Sequence, residues 1–127
     1  MQSPDSVPPA QRCQAGPAGL FTTLRTIAIT EPSLALECSA LLRHRPQREF
    51  VEKESFVAAM TSDPRAAARH APRFLNRPWI CDAGFFPAMR VAAALRDKDP
   101  VSARRLTLLA ASRFPGVALR EVRDLSD

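Results

Sequence analysis

Residues able to bind a metal are few and poorly placed in this sequence. Its two histidines, His44 and His70, lie outside any catalytic or metal-binding motif. Cys38 and His44 stand six positions apart on one predicted helix, about 120° from alignment, because side chains on a helix meet at three and four positions. A structural zinc site uses four ligands in paired short spacings, and the sequence contains no C-x-x-C. We therefore predict neither a metal site nor a cofactor.

Nucleophilic catalysis also lacks a recognisable motif. The 4 glycines are isolated, so there is no G-x-S-x-G elbow, phosphate-binding loop or dinucleotide-binding fingerprint. Cys81 precedes a candidate helix start at Asp82. A helix N-terminus lowers the pKa of a thiol, but the adjacent carboxylate opposes this effect, and no basic partner is evident. We predict no catalytic residue and expect that the chain is not an enzyme.

The cysteines carry information about the compartment. Cys13, Cys38 and Cys81 are odd in number and widely spaced, which favours reduced thiols over a disulfide framework. Residues 1–19 contain several prolines and no apolar run, so a secretory signal or an organelle presequence is not indicated. No stretch has the length and apolarity of a transmembrane helix. We expect a cytoplasmic protein with no membrane association.

Positive charge is concentrated in one short stretch. The chain has 18 basic and 13 acidic residues, for a net charge of +5, and codon usage in a GC-rich genome is the simpler explanation of the overall arginine bias. Residues 64–81 hold four arginines and no acid. Arginine binds carboxylate or phosphate through two parallel hydrogen bonds, so this stretch is a candidate partner-binding site. The arginine ridge consists of Arg65, Arg69, Arg73 and Arg77.

The spacing of four places the arginine ridge along one side of a helix. Pro72 should kink or split that helix, because proline lacks an amide hydrogen and its ring clashes with the preceding turn. Two roles besides partner binding stay open. The ridge is a solvated face, or it pairs within the chain with acidic residues of a neighbouring helix, namely Glu49, Glu52 and Glu54.

An apolar segment follows the ridge. Residues 76–86, the Trp79 segment, contain the breakers Pro78 and Gly84 together with four large apolar residues, namely Trp79, Ile80, Phe85 and Phe86. A loop this apolar either packs into the core or exposes a patch, and exposed patches mark binding sites. Tryptophan is enriched at binding hot spots. We predict Trp79, Phe85 and Phe86 as partner contacts, with core filling as the alternative.

The elements that must position these residues are helices. The stretch from Leu20 to Thr30 shows helical spacing of apolar residues. Three helix starts pair an acidic residue with a proline, at Pro32, Pro64 and Pro100, which are 32 and 36 positions apart. This spacing is near the period of helix-hairpin repeats. The fold is predicted to be all-α, with five or six short helices arranged either as an irregular bundle or as a short helix-hairpin repeat array.

Several local features complete the predicted helices. Thr30 is predicted to cap the helix that holds Pro32, and Asp99 is predicted to cap the helix that begins at Pro100. Pro46 is predicted to end one helix, and Pro115-Gly116 to form a turn after another. A helix over residues 47–60 is predicted to face inward with Phe50, Val57 and Met60 and outward with Glu49 and Glu52. Residues 1–16 are predicted to be a disordered tail and residues 17–127 a single helical domain.

These observations favour an interaction protein. We predict a non-enzymatic adaptor module that binds an acidic protein surface through the arginine ridge and the Trp79 segment. The alternative is a nucleic-acid-binding regulatory protein, with a helix-turn-helix-like segment at residues 100–125. That alternative is weakened by Glu121 and Asp124. These acidic residues stand beside Arg120 and Arg123 on the helix that would enter a groove of the nucleic acid. The sequence does not indicate an oligomeric state.

Overall fold

The computed structural model describes residues 13–14 and 19–126, with side chains up to Glu121. Within these ranges the chain forms seven α-helices, one 3-10 helix and no strand. The all-α prediction is confirmed, with seven helices in place of the five or six expected. The elements are α1 (Leu20–Ile27), α2 (Pro32–Ser39), α3 (Arg45–Ser62), α4 (Pro64–His70), a 3-10 helix (Ala71–Phe74), α5 (Phe85–Leu95), α6 (Pro100–Arg113) and α7 (Pro115–Ser126).

The three acidic-proline starts are confirmed, since Pro32, Pro64 and Pro100 are each the first residue of a helix. Asp63 Oδ1 accepts a hydrogen bond from the amide of Ala66 at 3.2 Å. Asp99 Oδ1 accepts one from the amide of Ser102 at 3.0 Å. Each carboxylate therefore satisfies an amide that the first helical turn leaves without a partner.

Thr30 does not cap α2, so that prediction is wrong. The residue before Pro32 is Glu31, and no side chain caps this helix. The Thr30 hydroxyl instead donates to the carbonyl of Ile27 at 3.5 Å. Thr30 thus lies in the turn after α1, where the same Ile27 carbonyl accepts a shorter hydrogen bond of 2.7 Å from the amide of Glu31.

Two prolines predicted to stop helices begin them instead. α2 ends at Ser39, and Pro46 is the second residue of α3. Pro115 is the first residue of α7, with Gly116 inside the helix, and Phe114 alone joins α6 to α7. The first turn tolerates proline, because its missing amide hydrogen would have no partner there.

The buried face of α3 is shifted from the predicted face. Glu52 is buried and Phe50 is 43% exposed, the reverse of the prediction, although Met60 is buried as expected. Ser55 lies on the buried face, where its hydroxyl donates to the Val51 carbonyl. A short polar side chain whose hydroxyl donates a hydrogen bond to its own helix can lie on a buried face among apolar residues. The buried residues of α3 are Val51, Glu52, Ser55, Phe56, Ala59 and Met60.

Contacts divide the chain into two compact units, residues 1–58 and residues 59–127. In the first unit, α1 contacts α2. A disulfide joins Cys13 to Cys38, which corrects the prediction of reduced thiols. The two cysteines share an apolar cluster with Leu24, Ala28, Ala35, Leu42 and Val51. The sequence does not reveal this disulfide, because the two cysteines are far apart in the chain and only the fold brings their sulfurs together.

The predicted tail boundary falls largely outside the described residues. Cys13 is 7% exposed and belongs to the core cluster, so the described part of residues 1–16 includes a core residue. Residues 1–12 and 15–18 lie outside the described ranges. The proposed single domain from residue 17 onward stays a prediction.

In the second unit each helix contacts the next, α4 with α5, α5 with α6 and α6 with α7. Small side chains are frequent in the core of this unit, which lets neighbouring helices approach closely. Fully buried alanines accompany Phe74, Val91 and Leu106, and they are Ala59, Ala66, Ala67, Ala71, Ala88 and Ala110. The repeat-array form of the fold stays a prediction.

Across residues 13–14 and 19–126, none of the helices combines the length and the apolarity that crossing a membrane requires.

Candidate functional site

Two arginines of the ridge lie in a groove on the second unit. Asp63 caps α4 just before Pro64, and the helix then carries Arg65 and Arg69 one turn apart, both exposed. The groove has a volume of about 600 Å³ and is called the α4 groove below. Residues of α4, of the 3-10 helix and of the end of α5 with its following turn line it, namely Arg65, Ala68, Arg69, Pro72, Ala93, Ala94, Leu95, Asp97, Lys98 and Asp99.

The guanidinium groups of Arg65 and Arg69 make no ion pair with any residue that the structure describes. The groove beside them has an apolar floor and a mixed rim, on which Lys98 stands between Asp97 and Asp99. Asp99 is already engaged, since hydrogen bonds from the Ser102 hydroxyl and amide lower the pKa of its carboxyl. Arg65 and Arg69 are therefore the guanidinium groups that this groove presents to a ligand.

The ridge is split at Pro72, as predicted. α4 ends at His70, and the chain continues as the 3-10 helix Ala71–Phe74. Arg73 Nη2 donates to His70 Nδ1 at 3.1 Å, and the Arg73 guanidinium carbon lies 4.7 Å from the centroid of the Phe74 ring. Cation–π contacts of this kind stabilise a fold locally. Arg73 is thus bound within the chain, whereas Arg65 and Arg69 face the α4 groove.

His70 is held neutral in the folded chain. Burial, followed by the nearby charges of Arg73 and Arg69, lowers the pKa of His70 to about 4. A neutral imidazole can accept at Nδ1, which is the role that the Arg73 contact requires. His70 therefore positions Arg73 through this hydrogen bond.

The Trp79 segment is packed through most of its length. Amide-to-carbonyl hydrogen bonds of 3.2 Å from Ile80 to Arg77 and of 2.9 Å from Asp82 to Trp79 close successive turns. Ile80 and Cys81 are buried, and Arg77 is half-buried. The Trp79 ring lies 5.1 Å from the Phe74 ring, centroid to centroid. The segment fills the core with Ile80 and leaves part of Trp79 in contact with solvent.

A long-range contact holds this segment in place. Arg113, the last residue of α6, donates to Asp82 Oδ1 at 3.2 Å and to the Pro78 carbonyl at 3.5 Å. Between Pro78 and Asp82 lies Cys81, and burial is the main cause of the raised pKa of its thiol. Cys81 is therefore a protonated core thiol at neutral pH, which is a poor nucleophile.

The two phenylalanines that follow Gly84 differ in their exposure to solvent. Its φ of 112° lies in a region that residues with a Cβ rarely adopt, and it immediately precedes α5. From there Phe85 enters the core at 9% exposure, and Phe86 is 53% exposed. The rings meet edge to face, 5.5 Å apart. Of the predicted contact pair, Phe86 is available to a partner and Phe85 supports it from below.

One of the acidic residues considered as internal partners of the ridge, Glu49, has an ion-pair partner on its own helix. Glu49 forms an ion pair with Arg45 at 2.8 Å, one turn away. That hydrogen bond and the charge of Glu49 raise the pKa of the Arg45 guanidinium. Glu52 is buried.

A second groove on this unit has no motif that reveals it in the sequence. It lies between α5 and α6, has a volume of about 270 Å³, and is called the hairpin groove below. On α6, Val101 is 78% exposed and Leu108 is 60% exposed. One sequence signal could have indicated the groove. α6 carries more apolar residues than its buried face needs, because Leu106 and Ala110 already occupy the core.

Within the described residues, no group of three or more His, Cys, Asp or Glu side chains is arranged to hold a metal ion. Comparison of the chain with models of protein families, with curated proteins and with solved structures finds no match.

Proposed function

We propose that this chain is a non-enzymatic interaction module that binds an acidic segment of a protein partner in the α4 groove. One observation carries the proposal. Arg65 and Arg69 are exposed at a groove of about 600 Å³ and make no ion pair within the described chain. Two arginines one turn apart can each bind a carboxylate through two parallel hydrogen bonds.

A protein ligand suits this groove better than a nucleic acid does. Apolar residues, among them Ala68, Ala93 and Leu95, line part of the groove, and apolar side chains of a peptide can bury there. Asp97 and Asp99 on the rim would repel a continuous phosphate backbone. A peptide can place a carboxylate at the arginines and a neutral or basic residue at the aspartates.

The remaining predicted contacts enter the proposal with different roles. Phe86 and the exposed part of Trp79 supply apolar contact area beyond the groove. Arg73 and Arg77 belong to the supporting structure, because Arg73 binds His70 and Arg77 is half-buried. Phe85 lies in the core.

The test reverses the two groove arginines together, as Arg65→Glu with Arg69→Glu. Affinity capture from the native cell, with and without nuclease, identifies the partner, and titration of the purified partner gives the dissociation constant. We expect a loss of affinity of about tenfold or more, because charge-assisted hydrogen bonds become repulsive contacts. The melting temperature should change little, since both side chains are exposed.

The matched control is Arg43→Glu with Arg90→Glu, which makes the same change in net charge at two other exposed arginines. It should bind like the wild type. Equal losses in both double variants would show that only overall charge matters. Wild-type affinity in the Arg65/Arg69 variant would overturn the proposal.

The second candidate is a nucleic-acid-binding protein that uses α6 and α7. The observation in its favour is that these helices contact one another and that α7 carries Arg120 exposed. The joint differs from a helix-turn-helix, whose helices are separated by a turn of about three to four residues, because here only Phe114 intervenes. Nuclease-sensitive capture, with a log–log salt slope of roughly −0.7 to −0.9 per phosphate contact, would favour this candidate.

The compartment is also part of the proposal. A cytoplasmic location is the prediction from the sequence, but a disulfide such as Cys13–Cys38 persists in oxidising surroundings. We propose that the chain works where this disulfide is formed. Alkylation of free thiols in intact cells measures whether the disulfide is formed. A Cys13 thiol that reacts freely would instead support a reducing compartment.

A further inference from the structure

The hairpin groove is a concave face of two successive helices. α5 and its C-terminal end contribute Met89, Ala92, Ala93 and Arg96, and α6 contributes Pro100, Ala103, Arg104, Thr107 and Leu108. Residues 96–99 connect the two helices, so Arg96 and Pro100 mark the closed end of the hairpin. Met89 and Leu108, farthest along the two helices from that connection, mark the open end.

The open end is apolar and exposed. Leu108 is 60% exposed, although it stands beside the groove. Phe86 precedes Met89 by three positions on α5, which places it on the same side of that helix, and it is 53% exposed. Ala92, Ala93 and Ala103 along the floor leave room for larger side chains from a ligand.

The closed end is basic. Arg96 and Arg104 are exposed, and the described residues that line the groove include no carboxylate. A ligand seated here would therefore meet one positive charge at the closed end, from Arg96, a second one turn of α6 further along, from Arg104, and apolar side chains towards the open end. An amphipathic helix with acidic residues at one end matches both features, because its apolar side chains recur at three and four positions and can fill such a groove.

We propose that the hairpin groove is a second docking surface, which receives an amphipathic helix of a protein partner with its acidic end at Arg96 and Arg104. A second copy of this chain fits the groove less well. The chain carries a net charge of +5, so a symmetric contact would bring arginines against arginines. The proposal does not depend on the α4 groove, although Ala93 lines both surfaces.

The test selects ligands from a library, so the natural partner need not be identified first. A displayed library of helical peptides keeps apolar residues at one face and randomises the polar positions, and the full chain serves as bait. We expect the selected peptides to be enriched in Asp and Glu at one end. The affinity of a selected synthetic peptide, measured by fluorescence anisotropy, should fall about tenfold or more for Arg96→Glu with Arg104→Glu and for Leu108→Asp.

The matched controls separate this surface from the α4 groove. Arg65→Glu with Arg69→Glu should leave peptide affinity within about twofold, so failure of the α4 proposal is visible on its own. A melting curve for each variant identifies any that does not fold, and chemical-shift mapping of the peptide on the wild type then gives the site directly. Shifts centred on α5 and α6 support the proposal.

Three outcomes would overturn it. Selected peptides without an acidic bias would remove the charge argument. Peptides insensitive to Leu108→Asp, with shifts elsewhere, would show that another surface is preferred. A concentration-dependent dimer in sedimentation that Leu108→Asp abolishes would assign the groove to a second copy of the chain.

Discussion

Arg113 and Asp82 are joined by a hydrogen-bonded ion pair of 3.2 Å across 31 positions of sequence. The pair connects the end of α6 to the Trp79 segment, and the same guanidinium donates to the Pro78 carbonyl at 3.5 Å. Trp79 lies between the two points of attachment. The position of this apolar segment therefore depends on a contact with α6 as well as on its own burial.

Replacing Arg113 with alanine should lower the free energy of unfolding by about 0.5–1 kcal/mol, because exposed ion pairs contribute little. The Arg113 and Asp82 side chains are 50% and 35% exposed. The only tryptophan of the chain is Trp79, so its fluorescence reports on the segment. A double-mutant cycle with Asp82→Ala gives the coupling energy. The control is Arg105→Ala on the same helix, and a coupling of zero would contradict the pairing.

The Cys13–Cys38 disulfide should stabilise the chain by about 3 kcal/mol, because it closes a loop of 25 positions in the unfolded chain. Denaturant unfolding with and without a reductant measures this difference. Two truncations sharpen the test. Removal through residue 12 keeps Cys13 and the response to reductant, whereas removal through residue 13 abolishes that response. A wild-type chain indifferent to reductant would contradict the disulfide.

Gly84→Ala should destabilise the chain by about 1–3 kcal/mol, the cost of holding a residue with a Cβ in a sparsely populated backbone region. The cost comes from φ, which is 112°, and not from crowding, since an added Cβ would meet Pro87 at an ordinary 3.7 Å. The control is Gly116→Ala in α7, where nothing lies within 4 Å of the added Cβ. Alanine favours a helix, so the control should be neutral or stabilising. Equal effects of the two changes would contradict this reasoning.

Stability should fall as the pH drops from 6.5 towards about 4, in part because of His70. Its pKa is about 4 in the folded chain against an ordinary value of 6.5, so in this window the unfolded chain binds a proton that the folded chain does not. His70→Asn keeps an acceptor for Arg73 and should flatten the dependence. His44→Gln, at the exposed second histidine, should retain it. Chemical denaturation at about pH 7 and pH 5 compares the variants, and an unchanged slope in His70→Asn would refute the assignment.

Features that depend on neighbouring residues could be predicted from the sequence. The Asp-Pro starts at Pro64 and Pro100 are recognisable because the cap, the proline and the receiving amide all lie within four positions. The split of the ridge at Pro72 follows from the geometry of proline in the same way. Helical spacing identifies the all-α class for a similar reason, since backbone pairing in a helix is local.

Predictions of which face is buried were less successful. Phe50 was expected inside and Glu52 outside, and the structure reverses them. A helix presents its residues about every 100°, so a small rotation exchanges neighbours, and only the elements packed against α3 choose between the two faces. Phe85 and Phe86 are not distinguished by the sequence either, because only the packing of α5 against its neighbours determines which of the two rings is buried.

The helical class, the acidic-proline starts and the break in the ridge can be predicted from the sequence, because each depends on residues within about one turn of backbone. Tertiary structure alone decided the contacts that join distant positions, Cys13 with Cys38 and Arg113 with Asp82. It also decided that Arg65 and Arg69 face a groove whereas Arg73 binds His70. The physical reason is that such contacts exist only after long loops have closed, and the entropy of closure is offset by burial across the whole unit rather than by any pattern of neighbouring residues.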